Sequence, residues 1–193
     1  MVSTGRRRIL ALLLAGLNAW STLAASGPLA VGQRLPNMPL SGLNGPQRTM
    51  ESYRGRPLII NLWASWCAPC RQEMASLERL AWRDEGRAFA IIGISTDDDP
   101  AQALSFLKSA HATISQFIDS GQKLEDLLGA SRIPLTVLVD SQGRVQQRVY
   151  GSQQWDSAEI RQLLDRTFGA RELRQTRAPV FPQAKGSVQG LPR

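Results

Sequence analysis

An α/β layered fold with a partly parallel sheet is predicted by three features of this sequence. Apolar runs of strand length at 58–64, 88–94 and 135–139 alternate with segments whose apolar residues recur at helical spacing. A strand–turn–strand pattern over 135–150 then adds an antiparallel hairpin to one side of the sheet. Hydrophobic residues make up 42% of the 193 positions, enough for one core and too many for a globally disordered chain.

Each element has its own local signal. Residues 28–56 carry Gly32, Pro36, Pro39, Gly42, Gly45, Pro46 and Gly55, a composition of short strands and turns, with 40–45 as a hairpin tip. The run Leu-Ile-Ile-Asn-Leu-Trp-Ala at 58–64 fits a buried central strand. A helix is expected over 69–85, where Met74, Leu77, Leu80 and Ala81 share a face and Gly86 supplies a stop. Residues 88–94 give a second buried strand. Asp97, Asp98, Asp99 and Pro100 mark a helix start, with acids where the helix dipole favours them, and Ala103, Leu107 and Ala110 mark that helix's face. Phe117 and Ile118 suggest a short extended piece, and Leu124, Leu127 and Leu128 a short helix ending at Gly129. Residues 135–139 and 145–150 are the arms of the closing hairpin, with a turn at 140–143. Asp156 precedes a last helix, with Glu159 three residues on as in a capping box, and Ile160, Leu163 and Leu164 facing inward. Beyond Ala170, arginine, glutamine and proline dominate without periodicity. The domain is therefore expected over 28–169, with a mobile basic tail at 170–193.

The first 25 residues have the order of a secretory signal rather than of a fold. Arg6, Arg7 and Arg8 form a basic start, an apolar stretch at 9–20 is broken only by Gly16 and Asn18, and small residues follow at 21–26. Cleavage is expected near Ala24 or Ala25. The alternative is an uncleaved membrane anchor, although 9–25 is only 17 residues, short of the roughly 20 that span a bilayer. The arginines also fit the core of a twin-arginine signal. The net charge of +7, less these three arginines, leaves +4. Much of that sits in the tail, where Arg171, Arg174, Arg177, Lys185 and Arg193 oppose only Glu172. A solvated tail is the expected reading; Phe181 is its only aromatic residue, so nothing indicates a nucleic-acid partner.

Export changes how the two cysteines read, because disulfides persist outside the cytosol. Cys67 and Cys70 enclose only two residues. A bridge that small removes little freedom from the unfolded chain, so a structural staple is a poor account of it and a redox role a better one. Half of a zinc site is the other reading of such spacing, but four Cys or His ligands are needed and only His111 could be added. The pair lies at a strand-to-helix junction, where free N–H groups and the dipole stabilise a thiolate. Cys67, nearer the turn, is the expected attacking sulfur and Cys70, one turn inside, the resolving one. Pro69, in the first helical turn, withholds no needed N–H. No glycine-rich phosphate loop is present and no cofactor is expected.

The segment Trp63-Ala64-Ser65-Trp66-Cys67-Ala68-Pro69-Cys70 resembles the active-site motif of thioredoxin-like proteins, in particular the exported TlpA/ResA branch that includes cytochrome c maturation reductases. The resemblance runs from Val31 to about Phe168. It takes in the opening segment at 32–36, the approach to the first core strand at 54–57, and Ile133-Pro134 followed by Thr136 to Asp140. It implies a thioredoxin fold: a central mixed sheet flanked by helices, an N-terminal hairpin, and a strand–helix insertion in the 64 residues from Cys70 to Pro134. It implies that Ile133–Pro134 is a cis bond opposite the cysteines, with Ile133 offering backbone groups to a substrate strand. Trp63 and Trp66 read as packing and shielding groups, with the floor of the substrate groove as the alternative for Trp66. Where minimal thioredoxins carry a buried aspartate, this chain has Asn61, which cannot take a proton. Glu73, three residues past Cys70, matches the branch's active-site glutamate and would accept the Cys70 proton, unless it is an ordinary solvated helix residue. Arg71 could tune Cys67 or be solvated, and His111 reads as a surface or packing residue.

The expected activity is thus that of an exported, periplasmic thiol–disulfide oxidoreductase. Its partners are disulfide-bearing exported clients, apocytochrome c among those implied, and a membrane thiol reductant supplying electrons. An exported oxidase or isomerase runs the same chemistry the other way. A peroxidase of the peroxiredoxin type needs Pro-x-x-x-Thr-x-x-Cys, where this chain has Ile60 and Ala64. A non-catalytic binding module would not need the intact pair together with Pro69 and Pro134.

Overall fold

The computed structural model describes residues 27–84, 88–169 and 173. The leader expected at 1–25 and the stop at Gly86 lie outside them, as does the expected tail at 170–193 apart from Leu173. A seven-stranded mixed sheet forms the frame, in the order β2-β1-β5-β4-β3-β6-β7. In chain order the elements are β1 (Pro39–Gly42), β2 (Arg48–Thr49), a 3-10 turn at Met50–Tyr53, β3 (Leu58–Trp63), α1 (Ala68–Asp84), β4 (Ala90–Ser95), α2 (Pro100–Ser109), β5 (Ser115–Ile118), α3 (Lys123–Leu128), β6 (Leu135–Val139), β7 (Val145–Tyr150) and α4 (Ala158–Phe168). β3, β4 and β5 are mutually parallel, while β6 runs antiparallel to β3 and β7 antiparallel to β6. This is the thioredoxin fold, with the N-terminal hairpin β1–β2 and with β5 and α3 inserted before the closing hairpin.

The period-2 geometry of the strands decides what meets the helices. Leu58, Ile60 and Leu62 of β3 join Leu135, Val137 and Val139 of β6 and Ile92 and Ile94 of β4 in a core that α3 covers with Leu124 and Leu128. The alternate positions Ile59 and Leu138 face the opposite layer, where Leu77 and Leu80 of α1 meet Ile160, Leu164 and Phe168 of α4, together with Leu173. Asn61 and Thr136 share the parity of Ile59 and Leu138 and are paired in register. Two polar side chains are therefore delivered side by side beneath α1. Trp63, at the end of β3, packs with Cys67, Cys70, Met74 and with Ala103 and Leu107 of α2. Its indole N–H donates to Gln116 of β5 at 2.9 Å. Gly93 on β4 makes room for that glutamine, whose Oε1 would lie 1.8 Å from a Cβ at position 93.

Two expectations are corrected. Residues 40–42 belong to strand β1 rather than to a hairpin tip; Leu40 is a core residue, and the turn falls later, between β1 and β2. The chain can turn there because Gly42 lies against the backbone of Gly45 and Pro46, where any Cβ would collide. The last helix is capped by Ser157, whose hydroxyl accepts from the Ile160 N–H at 3.3 Å, not by Asp156. Asp156 is held instead by Arg79 of α1, at 2.8 and 3.3 Å, and this bond lowers its pKa. No helix among the described residues is long and apolar enough to cross a membrane.

Candidate active site

β3 ends at Trp63 and α1 begins at Ala68, so Cys67 is the last residue of the connecting turn and Cys70 lies in the first turn of the helix. Cys67 N–H closes the turn onto Ala64 C=O at 3.1 Å, and Cys67 C=O accepts the Arg71 N–H at 3.1 Å. The two sulfurs are joined in a disulfide, with Cα atoms 5.3 Å apart. Cys70 is fully buried and Cys67 is 5% exposed, beside Trp66, which is 68% exposed. Pro69 needs no hydrogen-bond partner at this position, and the Cys70 N–H is aimed at the Cys67 sulfur at 3.2 Å. The bond is thus accessible from the Cys67 side only.

Ile133–Pro134 is a cis bond. Ile133 packs against the cluster that contains Cys67 and Cys70, which places the start of β6 across from the disulfide. Pro134 is buried, and its C=O accepts the N–H of Gly151 at 2.9 Å.

Glu73 is completely buried, which overturns the reading of it as a solvated helix residue. One carboxylate oxygen accepts from Asn61 Nδ2 at 2.7 Å. The other accepts from the Gln153 N–H and from the Trp155 indole N–H, both at 3.1 Å. Asn61 Nδ2 also donates to Thr136 Oγ1 at 3.0 Å, whereas its Oδ1 is buried with no partner among the described residues. Burial pushes the Glu73 carboxyl above its ordinary pKa, against the pull of its hydrogen bonds to Asn61, Gln153 and Trp155. Ser76, one turn along α1, accepts from the Trp155 backbone N–H at 3.0 Å. A buried acid of α1 thus ties the helix that carries Cys70 to β3 and to the β7–α4 connection.

Trp155, Gln153 and Thr136 were not singled out from the sequence. For Thr136 a signal existed: like Asn61, it is a polar residue within an apolar strand, on the same parity. For Trp155 and Gln153 there was none, because their link to Glu73 spans about eighty residues of sequence and depends on the fold. Arg71 is exposed. His111 is exposed in the α2–β5 connection with a φ of 50°, its backbone N–H bonded to Lys108 C=O at 3.2 Å.

A thioredoxin-fold sheet, a CxxC disulfide at the head of a helix and a cis-proline strand packed against it define a thiol–disulfide oxidoreductase. The Redoxin family model matches residues 30–164, and the chain belongs to that family. It is 25% identical over 151 residues to the thiol-disulfide oxidoreductase ResA of Bacillus anthracis, covering 76% of this chain and 87% of that protein. It is 28% identical over 163 residues to the thioredoxin-like protein YneN of Bacillus subtilis, covering 81% and 94%. Among solved structures, a thiol-disulfide oxidoreductase from Bacteroides fragilis superposes with a TM-score of 0.59 at 25% identity, over 68% of this chain and 99% of that one. A Chlorobium tepidum protein described as a thiol:disulfide interchange protein DsbE gives a TM-score of 0.67 at 23% identity, over 73% and 99%, a likeness of fold.

Proposed function

We propose that this oxidoreductase is exported and acts as a reductase of disulfides in other exported proteins, with apocytochrome c a client of the right chemistry. The leader pattern at 6–26 supports export, to the periplasm, as a soluble protein or one held by an uncleaved leader. The single observation that carries the direction is Glu73. A buried carboxylate three residues past Cys70 on the same helix opposes thiolate formation, which disfavours the reduced form and makes the couple a better electron donor.

In the reaction, the Cys67 thiolate attacks one sulfur of a client disulfide. The client's other sulfur leaves as a thiolate and takes a proton, and a mixed disulfide joins Cys67 to the client. Cys70 then loses its proton, to Glu73 in this reading, and attacks the Cys67 sulfur. The client departs with two thiols, and the Cys67–Cys70 pair is left oxidised by two electrons. Ile133 offers backbone groups to the client strand, Pro134 shapes that strand's approach and Trp66 floors the groove. A membrane thiol reductant returns the electrons.

The test is the state of the pair in cells that export the protein, quenched in acid and labelled with a mass-tagged maleimide. Mainly dithiol protein is expected, turning to disulfide when the membrane thiol reductant is deleted. A pair found mainly oxidised in unperturbed cells would reverse the direction.

A further inference from the structure

One buried carboxylate has no part in the exchange chemistry described above. Asp97 lies in the β4–α2 connection and is 2% exposed. The sequence groups it with Asp98 and Asp99 as a helix start, but the cap of α2 is Asp99, whose side chain accepts from the Ala101 N–H at 2.8 Å. Asp97 points elsewhere. Its Oδ1 accepts from the Ser65 hydroxyl at 2.7 Å and from the Ser65 N–H at 3.2 Å. Its Oδ2 accepts from the same N–H at 2.9 Å and from the Ser95 hydroxyl at 2.7 Å. Three donors converge on it, and two of them belong to Ser65.

Ser65 is the second residue of the turn that the Cys67 N–H closes onto Ala64. The third is the exposed Trp66. One end of this turn is the end of β3, where Trp63 C=O accepts the Thr96 N–H at 2.8 Å. The other end runs into α1 through the Arg71 N–H bond to Cys67 C=O. Between these two anchors the turn is held by Asp97. A neutral side chain could cap such a turn at a lower desolvation cost than a buried carboxylate, whereas charge-assisted bonds hold about twice as firmly as neutral ones.

We propose that Asp97 is a positioning residue for the Cys67–Cys70 couple: through Ser65 it fixes the turn 64–67, holding the Cys67 sulfur against Cys70 and beside Trp66, and so favours the disulfide over the dithiol. The proposal rests on Cys67 and Cys70 being the reacting pair. Two consequences of releasing the clamp run the same way. A looser turn lowers the effective concentration of one sulfur at the other. Loss of an anion bonded two residues from Cys67 makes a thiolate there easier to hold. Both favour the dithiol and make the couple more oxidising.

The experiment equilibrates the full chain, as wild type, Asp97→Asn and Ser65→Ala, with glutathione buffers, and compares thermal melts of the oxidised and reduced forms. For Asp97→Asn the constant for disulfide formation is expected to fall about tenfold, about 30 mV. Ser65→Ala removes one donor and keeps the backbone N–H, so a fall of about threefold is expected. By linkage each variant loses more stability oxidised than reduced. Unchanged constants, with equal losses in both forms, would make Asp97 a purely structural clamp and overturn the proposal. If Asp97→Asn does not fold, Ser65→Ala decides alone. The difference between variant and wild type does not depend on the absolute potential, so a wrong direction of electron flow would show in the wild type and leave this comparison intact.

Discussion

Cys67→Ser is expected to reduce insulin no faster than the uncatalysed reaction, while Cys70→Ser is expected to complete the first half of the exchange and stop, accumulating mixed disulfides. The asymmetry follows from the helix terminus. The Cys67 sulfur has the Cys70 N–H aimed at it and lies beside an exposed tryptophan; Cys70 is sealed in the core with Trp63 and Met74. A serine hydroxyl at 67 does not ionise near neutral pH and forms no disulfide, so no intermediate exists to be resolved. A serine at 70 leaves the attack intact and removes the escape. Insulin turbidity measures the first variant, and non-reducing gels with mass spectrometry the second. Alkylation of the reduced wild type should modify Cys67 first; faster labelling of Cys70 would exchange the two roles.

Glu73 should give the second largest effect, on stability and on thiol chemistry together. Glu73→Ala strands the Trp155 indole N–H, the Gln153 N–H and the Asn61 amide in the core, and a loss on the order of 3 kcal/mol is expected in urea unfolding. Glu73→Gln keeps an acceptor and should recover part of that loss. The two residues also differ in their response to pH. Burial raises the Glu73 pKa, so this residue's contribution to folding is complete below the ordinary carboxylate range and is lost as pH rises through the raised folded value. Glutamine carries no such loss. The stability of wild type relative to Glu73→Gln should therefore decline from acid toward neutral pH, and a difference constant with pH would contradict this. At the dithiol, helix residues three apart have Cβ atoms about 5–6 Å from each other. Removing the Glu73 charge should then lower the thiol pKa and make the couple more oxidising. Superimposable alkylation profiles for wild type and Glu73→Gln would leave proton transfer to water.

The strands and the redox pair were legible because their signals are local. An apolar run of strand length, and two cysteines at the head of a helical pattern, need no knowledge of the rest of the chain. The buried polar frame around them was not. Glu73 has the spacing of a site residue, but a glutamate on a helix is ordinarily solvated, and only the fold brings Trp155 and Asn61 to it. Asp97 sits in a run of three aspartates before Pro100, and sequence offers no reason to separate the one that clamps Ser65 from the one that caps α2. At the last helix Asp156 and Ser157 are both good caps; the choice is made by Arg79, from another element, which takes the aspartate. A carboxylate bonded to a distant element decided each of these, and such a bond leaves no pattern in adjacent residues.

The reduction potential of the Cys67–Cys70 couple in the wild-type protein, from glutathione or dithiothreitol equilibration, tests the central claim most directly. A reductant held by a buried carboxylate should lie below about −230 mV; a value near about −120 mV, that of a strong oxidant, would contradict the account.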